Sequence, residues 1–188
     1  MRKPVVGVMG ASMNDALTPS DATRLKKLAE DLGAAIAQAG CVLVTGATTG
    51  LPDLVAQAFR KNGGFALGMS PAANRHEHIR LYGLPETGAD VIVYTGFGYK
   101  GRNVINIRSS DIVLIIGGAT GTLNEFTIAY DEGKIIGILE GSGGVADHLQ
   151  EIIEFCKKPT AGAVLRAAEP IDLVRRCLNA WNSLEAEV

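Results

Sequence analysis

Short runs of branched apolar residues alternate with longer amphipathic stretches along the whole chain, and this narrows the fold more than any other feature. The runs are VVGVM (5–9), CVLVT (41–45), FALGM (65–69), VIVYT (91–95), IVLII (112–116), IIGIL (135–139) and, more weakly, AVLRA (163–167). Several are apolar at every position instead of every second one. Such strands belong in a parallel sheet covered on both faces. The stretches between them carry helix punctuation. Thr18 before Pro19 supplies an N-cap and a first helical position. Leu25, Leu28, Leu32 and Ile36 then make one buried stripe, and Gly40 stops the helix. Further helices are expected over roughly 51–62, 101–109, 122–132, 145–157 and 170–184, with Gly63 or Gly64 and Gly133 at C-terminal ends. No linker, repeat or charge block interrupts the βαβα order. The expectation is a single Rossmann-like α/β domain over residues 1–188, a doubly wound parallel sheet of about seven strands flanked by helices.

Composition removes several classes of function. A net charge of −2 offers no electrostatic capture of nucleic acid or anionic membrane, and 5% aromatic content is too little for base-stacking platforms. No segment approaches the ~20 apolar residues that a bilayer span requires. The opening MRKPVVGVMG is broken by proline and glycine, so it reads as a first strand and not as a secretory leader. Cys41, Cys156 and Cys177 lie far apart without a CxxC, the pattern of reduced thiols in a cytoplasmic protein. The anomaly left over is glycine, 23 residues with neither a collagen-like period nor a linker tract.

In open α/β sheets, ligands sit beyond the carboxyl ends of the strands. Here those ends run into GASMN (10–14), GATTG (46–50), GFGYKGR (96–102), GGATG (117–121) and GSGG (141–144). These turns hold more glycine than turning demands, mixed with small hydroxyl residues. Such loops let backbone N–H groups approach an anion at a helix N-terminus with no Cβ in the way. The candidate phosphate-binding residues are therefore Gly10, Ser12, Gly46, Thr48, Thr49, Gly50, Gly117, Gly118, Ala119, Thr120, Gly121 and Thr122.

Individual motifs refine this. GFGYKG (96–101) fits GxGxxG, but a dinucleotide site also needs an acid at the end of the next strand, and that strand ends at Ile115-Ile116-Gly117. No GxxxxGK[ST] occurs, which argues against a P-loop hydrolase. GGATGTLNE (117–125) has two readings. Thr122 to Glu125 is T-x-x-E, a capping box for the following helix. The box gives no reason for the two glycines before it, or for Gly121, whereas an anion cradle does. Arg102 stands at a helix start, where a cation is mildly unfavourable. The strands at 91–95 and 112–116 are expected to be sheet neighbours about 4.8 Å apart, which would carry Arg102 towards Glu125; the alternatives are a solvated surface arginine or a purely structural pair with Glu125. Arg108 reads as a helix-end residue, and Lys100 either meets a phosphate or faces water. His76 and His78 have no third partner, so they read as a solvated loop and not as a metal site. Ile171, Val174, Cys177, Leu178 and Trp181 form a packing stripe, within the domain or against a partner subunit.

Taken together, GGATGTLNE at 117–125, Arg102 in GRNVINIRSSD and TGATTGL at 45–51 resemble the LOG family, the cytokinin riboside monophosphate phosphoribohydrolases. They resemble equally its wider superfamily of Rossmann-like nucleotide binders, which includes the molybdenum cofactor carrier proteins. The family signature is PGGxGTxxE, with an arginine about 15 residues upstream and a glycine-rich run ending in GL after the second strand. The similarity spans roughly residues 4–157. Ala47 and Thr48 thin the earlier glycine run. The resemblance implies that Glu125 and Arg102 are a catalytic pair, while the 117–122 amides and the 46–50 loop hold a 5′-phosphate. It implies cleavage of a nucleoside 5′-monophosphate to free base and ribose 5-phosphate, without cofactor or metal, in a homodimer or larger assembly. The alternative it leaves open is a carrier that holds a pterin cofactor or a nucleotide without turning it over.

Overall fold

The computed structural model describes residues 2–11 and 18–186. Seven strands form one wholly parallel sheet in the order β4-β3-β2-β1-β5-β6-β7. They are β1 (Val5–Gly10), β2 (Val42–Thr45), β3 (Phe65–Ser70), β4 (Val91–Tyr94), β5 (Ile112–Ile116), β6 (Ile135–Leu139) and β7 (Val164–Ala167). The helices between them are α1 (Pro19–Gln38), α2 (Leu51–Lys61), α3 (Gly98–Arg108), α4 (Thr120–Asp131), α5 (Leu149–Cys156) and α6 (Pro170–Glu185). A π-helical turn at Glu77–Leu81 and a 3-10 turn at Gly144–His148 complete the chain. All seven expected strands form. They are apolar throughout because alternate residues of each central strand enter different cores. On one face Leu114 and Ile116 meet Leu25, Leu32 and Ile36 of α1, Val55 and Phe59 of α2, and Leu173 of α6. On the other, Val113 and Ile115 meet Ile107 of α3, Phe126 of α4 and Leu149 of α5.

The α1 signals are realised as read. Thr18 caps the helix, its hydroxyl accepting from the Asp21 N–H at 3.2 Å, with proline in the first turn. Two expectations fail. First, β4 and β5 are not neighbours, because β3, β2 and β1 lie between them. The chain winds outward from β1 to β4 and then returns, through α3, to lay β5 against the other side of β1. Sequential strands usually adjoin, and this return is the exception that creates a topological switch point. Second, α4 begins at Thr120 and not at 122, and α3 begins at Gly98 and not at 101.

Candidate functional site

The switch point places the carboxyl ends of β1 and β5 side by side, Gly10 pairing with Ile116. A cleft of about 800 Å3 opens above them. Of the sequence-predicted residues, Gly10, Gly46, Thr48, Thr49, Gly117, Gly118, Ala119, Thr120, Gly121, Thr122, Arg102 and Glu125 all line this one cleft. Gly50 stands behind it as the N-cap of α2. Ser12 lies outside the described residues.

The β5–α4 turn has its Gly117 and Gly118 carbonyls tied back to the segment after β6, while the amides of the helix start are left unpaired. Gly117 and Gly118 have φ of +63° and +105°, a left-handed pair that turns the chain within two residues. A Cβ on Gly118 would also sit 2.5 Å from the Thr122 side chain. The β6 loop fastens this turn from behind. The Gly117 N–H donates to Ser142 Oγ at 2.8 Å, and that hydroxyl donates to the Leu139 carbonyl at 2.6 Å. The Val145 and Ala146 N–H groups take the Gly118 and Gly117 carbonyls at 2.8 and 3.2 Å. The N-cap of α4 is Ala119, with no side-chain cap. Among the described residues, the Thr120, Gly121 and Thr122 amides therefore have no protein acceptor. The capping-box reading is overturned. The tight glycine turn starts the helix two residues early, so Thr122 and Glu125 sit inside α4, both buried.

The α2 end is different in kind. The Leu51 N–H already donates to the Ala11 carbonyl at 2.8 Å, Pro52 has no N–H, and Asp53 puts a carboxylate in the first turn. Ala47 takes a left-handed φ of +50° with its methyl against Gly68, out of the cleft, so the loop presents Thr48 and Thr49 instead. Gly46 has a separate purpose: a Cβ there would overlap the Arg102 guanidinium.

Arg102 and Glu125 meet, although not by the expected route. α3 crosses the sheet face on its way back from the β4 edge and packs on α4, so two helices bring the pair together. Arg102 Nη1 lies 3.3 Å from Glu125 Oε1, and both side chains are more than nine-tenths buried. That distance is long for a charge-assisted bond, and Arg102 Nε is buried without a partner. Two asparagines complete the setting. With their amides turned to satisfy both ends, Asn103 donates to Glu125 Oε1 at 3.1 Å, and Asn106 accepts from Arg102 Nη1 at 2.9 Å. Burial pushes the Glu125 carboxyl up from its ordinary 4.5 to about 7, against the opposing pull of Arg102 and, more weakly, Lys100. Burial likewise lowers Arg102, with Glu125 pulling it back up. A guanidinium is hard enough to deprotonate that it stays a cation.

The lesser candidates resolve as follows. Arg108 is a helix-end residue paired with Glu132 at 2.8 Å. Lys100 lines the cleft. His78 is not solvated. It is fully buried, its Nδ1 accepting from Ser70 Oγ at 2.8 Å and its Nε2 donating to the Pro85 carbonyl at 3.0 Å. Val174, Cys177 and Trp181 are buried within the domain, whereas Ile171 is exposed. Residues missed by sequence reasoning are Ser142, Asn103, Asn106, Tyr82 and Tyr99. Two asparagines three apart behind Arg102, in a helix that must bury one face, were the available signal.

The sequence profile of the SLOG cluster4 family matches residues 3–174. An uncharacterized protein of Archaeoglobus fulgidus is 30% identical over 162 residues, covering 83% of this chain and 96% of its own length. Among solved structures, TM1055 superimposes with a TM-score of 0.78 at 25% identity, covering 94% of this chain and 98% of its own. The molybdenum cofactor binding protein of Rippkaea orientalis is 32% identical with a TM-score of 0.73, covering 98% of this chain and 99% of its own.

Proposed function

Since the chain belongs to the SLOG cluster4 family, we propose that its cleft binds a phosphorylated nucleotide and hydrolyses the N-glycosidic bond of a nucleoside 5′-monophosphate. The observation that carries this reading is a buried acid, Glu125, set beside a row of unpaired helix-start amides and against a single buried cation. In the proposed complex the phosphate sits on the Thr120, Gly121 and Thr122 amides at the positive end of α4, helped by Thr48 and Thr49. The sugar then lies over Glu125. Its ionised carboxylate stabilises the cationic ribose that develops as the bond breaks, and it takes a proton from the attacking water. Water oxygen bonds to the anomeric carbon, and the electron pair of the C–N bond leaves with the base. The proton passes to the base nitrogen, giving free base and ribose 5-phosphate. Arg102 and Asn103 act by fixing the carboxylate. A carboxyl held near 7 is matched to proton transfer at neutral pH.

A second reading has its own support: the Rippkaea orientalis relative, similar over nearly its whole length, is a molybdenum cofactor binding protein. On that reading the same amides hold a pterin phosphate and nothing is cleaved. Incubating the purified chain with a panel of nucleoside monophosphates and following released base by chromatography separates the two. Hydrolysis that disappears in Glu125→Gln, with nucleotide affinity kept, supports the enzyme. Binding without release of base from any monophosphate supports the carrier. We place the protein in the cytoplasm, in keeping with three free cysteines. We also expect a homodimer or larger assembly, which sedimentation equilibrium would test. No helix among the described residues is long and apolar enough to cross a membrane.

A further inference from the structure

The cleft is not uniform along its length. The Gly117–Thr122 turn lines it with small residues, but the stretch formed by the start of α3 and the β3–β4 crossover carries Tyr99 and Tyr82. Tyr99 and Tyr82 meet edge-on there, ring centroids 5.4 Å apart at an interplanar angle of 79°. Leu84 is buried beside them in the cleft wall. Tyr99 is 47% exposed, a large ring left open to the cleft although it already has a partner on its edge. Among the described residues neither tyrosine hydroxyl has a hydrogen-bond partner.

Two further facts bear on what this wall is for. Tyr99, Arg102 and Asn103 are three and four residues apart on α3, so they share one face of the helix. Tyr99 therefore stands one turn from Arg102, which in turn touches Glu125. The crossover that brings Tyr82 is also fixed in advance. His78 ties it to Ser70 and to Pro85, and Arg75 grips both oxygens of Glu86 at 2.8 and 2.7 Å. A pre-formed aromatic face gains most when a flat ring covers it, because stacking is tolerant of ring identity and costs little ordering.

We propose that Tyr99, held edge-on by Tyr82, is the recognition surface for the planar heterocycle of the ligand. The cleft then has three zones in line: amides for phosphate, Glu125 with Arg102 for the sugar or linker, and Tyr99 for the ring. This rests on the phosphate reading given above. It also extends that reading, because it requires a nitrogen heterocycle, purine or pterin, at the other end of the ligand.

Calorimetric titration with three probes tests it: AMP, 6-hydroxymethylpterin phosphate, and ribose 5-phosphate, which has no ring. The wild type should bind at least one ring-bearing probe more tightly than ribose 5-phosphate. Tyr99→Ala should weaken that probe about tenfold and ribose 5-phosphate less than about twofold, while Tyr99→Phe stays within about twofold of wild type for both. Tyr99 is half exposed, so its truncation leaves the fold intact, which a thermal melt checks. If the wild type binds all three alike, or Tyr99→Ala weakens all three alike or none, the ring assignment is wrong while phosphate binding stands. If the wild type binds none of them, the phosphate reading falls and takes this one with it.

Discussion

Gly121 is the glycine that the fold does not need. It is the second residue of α4, its φ is not left-handed, and a Cβ built there meets nothing within 4 Å. Glycine in a helix costs roughly 0.5–1 kcal/mol relative to alanine, through the backbone freedom lost on folding. Gly121→Ala should therefore stabilise the protein by up to about 1 kcal/mol, which raises Tm by roughly 2–4 °C for a domain of this size. The same residue lines the cleft, so the new methyl projects into the space above the unpaired amides. Phosphate approach to those amides is then obstructed, and affinity for ribose 5-phosphate should fall about tenfold or more. The two changes have opposite signs, and that opposition is the test. Differential scanning calorimetry gives the first quantity and isothermal titration the second. A variant that is more stable and binds as well as wild type would show that the ligand does not use this turn. A variant that is less stable would show that Gly121 serves the helix after all.

Other perturbations probe the same site. Because the folded pKa of Glu125 is raised from 4.5 to about 7, its contribution to stability is full below pH 4.5 and is lost as pH rises through 7. Between pH 5 and 8, urea denaturation should show wild type losing about 2 kcal/mol more than Glu125→Gln; equal losses would mean that the carboxyl titrates normally. If ionised Glu125 does the work, kcat/KM for AMP should rise with pH through an apparent pKa near 7, and a profile that falls there contradicts the assigned role. Ser142→Ala removes the acceptor of the buried Gly117 N–H. It should cost about 1–3 kcal/mol in urea denaturation and weaken phosphate binding as well, whereas an unchanged affinity would show that the β6 loop does not set the turn.

What was legible in the sequence was what one segment decides alone. The seven strands could be read because each central one is apolar on both faces, and α1 because Thr18, Pro19 and Gly40 punctuate it. The start of α4 was misjudged because T-x-x-E is a local pattern, while the two left-handed glycines that begin the helix earlier act through the turn before it. Arg102 and Glu125 were paired correctly on a wrong premise. The strands that precede their helices, β4 and β5, are separated by three others, and only the passage of α3 back across the sheet unites them. Ser142 was visible as part of a glycine loop, but its bond to Gly117 depends on β6 lying beside β5. Tyr82 and Tyr99 gave no local signal, since their contact joins a crossover to a helix start some distance along the chain.

In the proposed function the amides opening α4 gather a phosphate next to a buried acid. Amide chemical shifts during titration with ribose 5-phosphate test it most directly. The Thr120, Gly121 and Thr122 N–H resonances should move furthest downfield and saturate together, with Glu125 shifting in the same titration. Shifts centred on α2, or spread over surface lysines and arginines and never saturating, would contradict it.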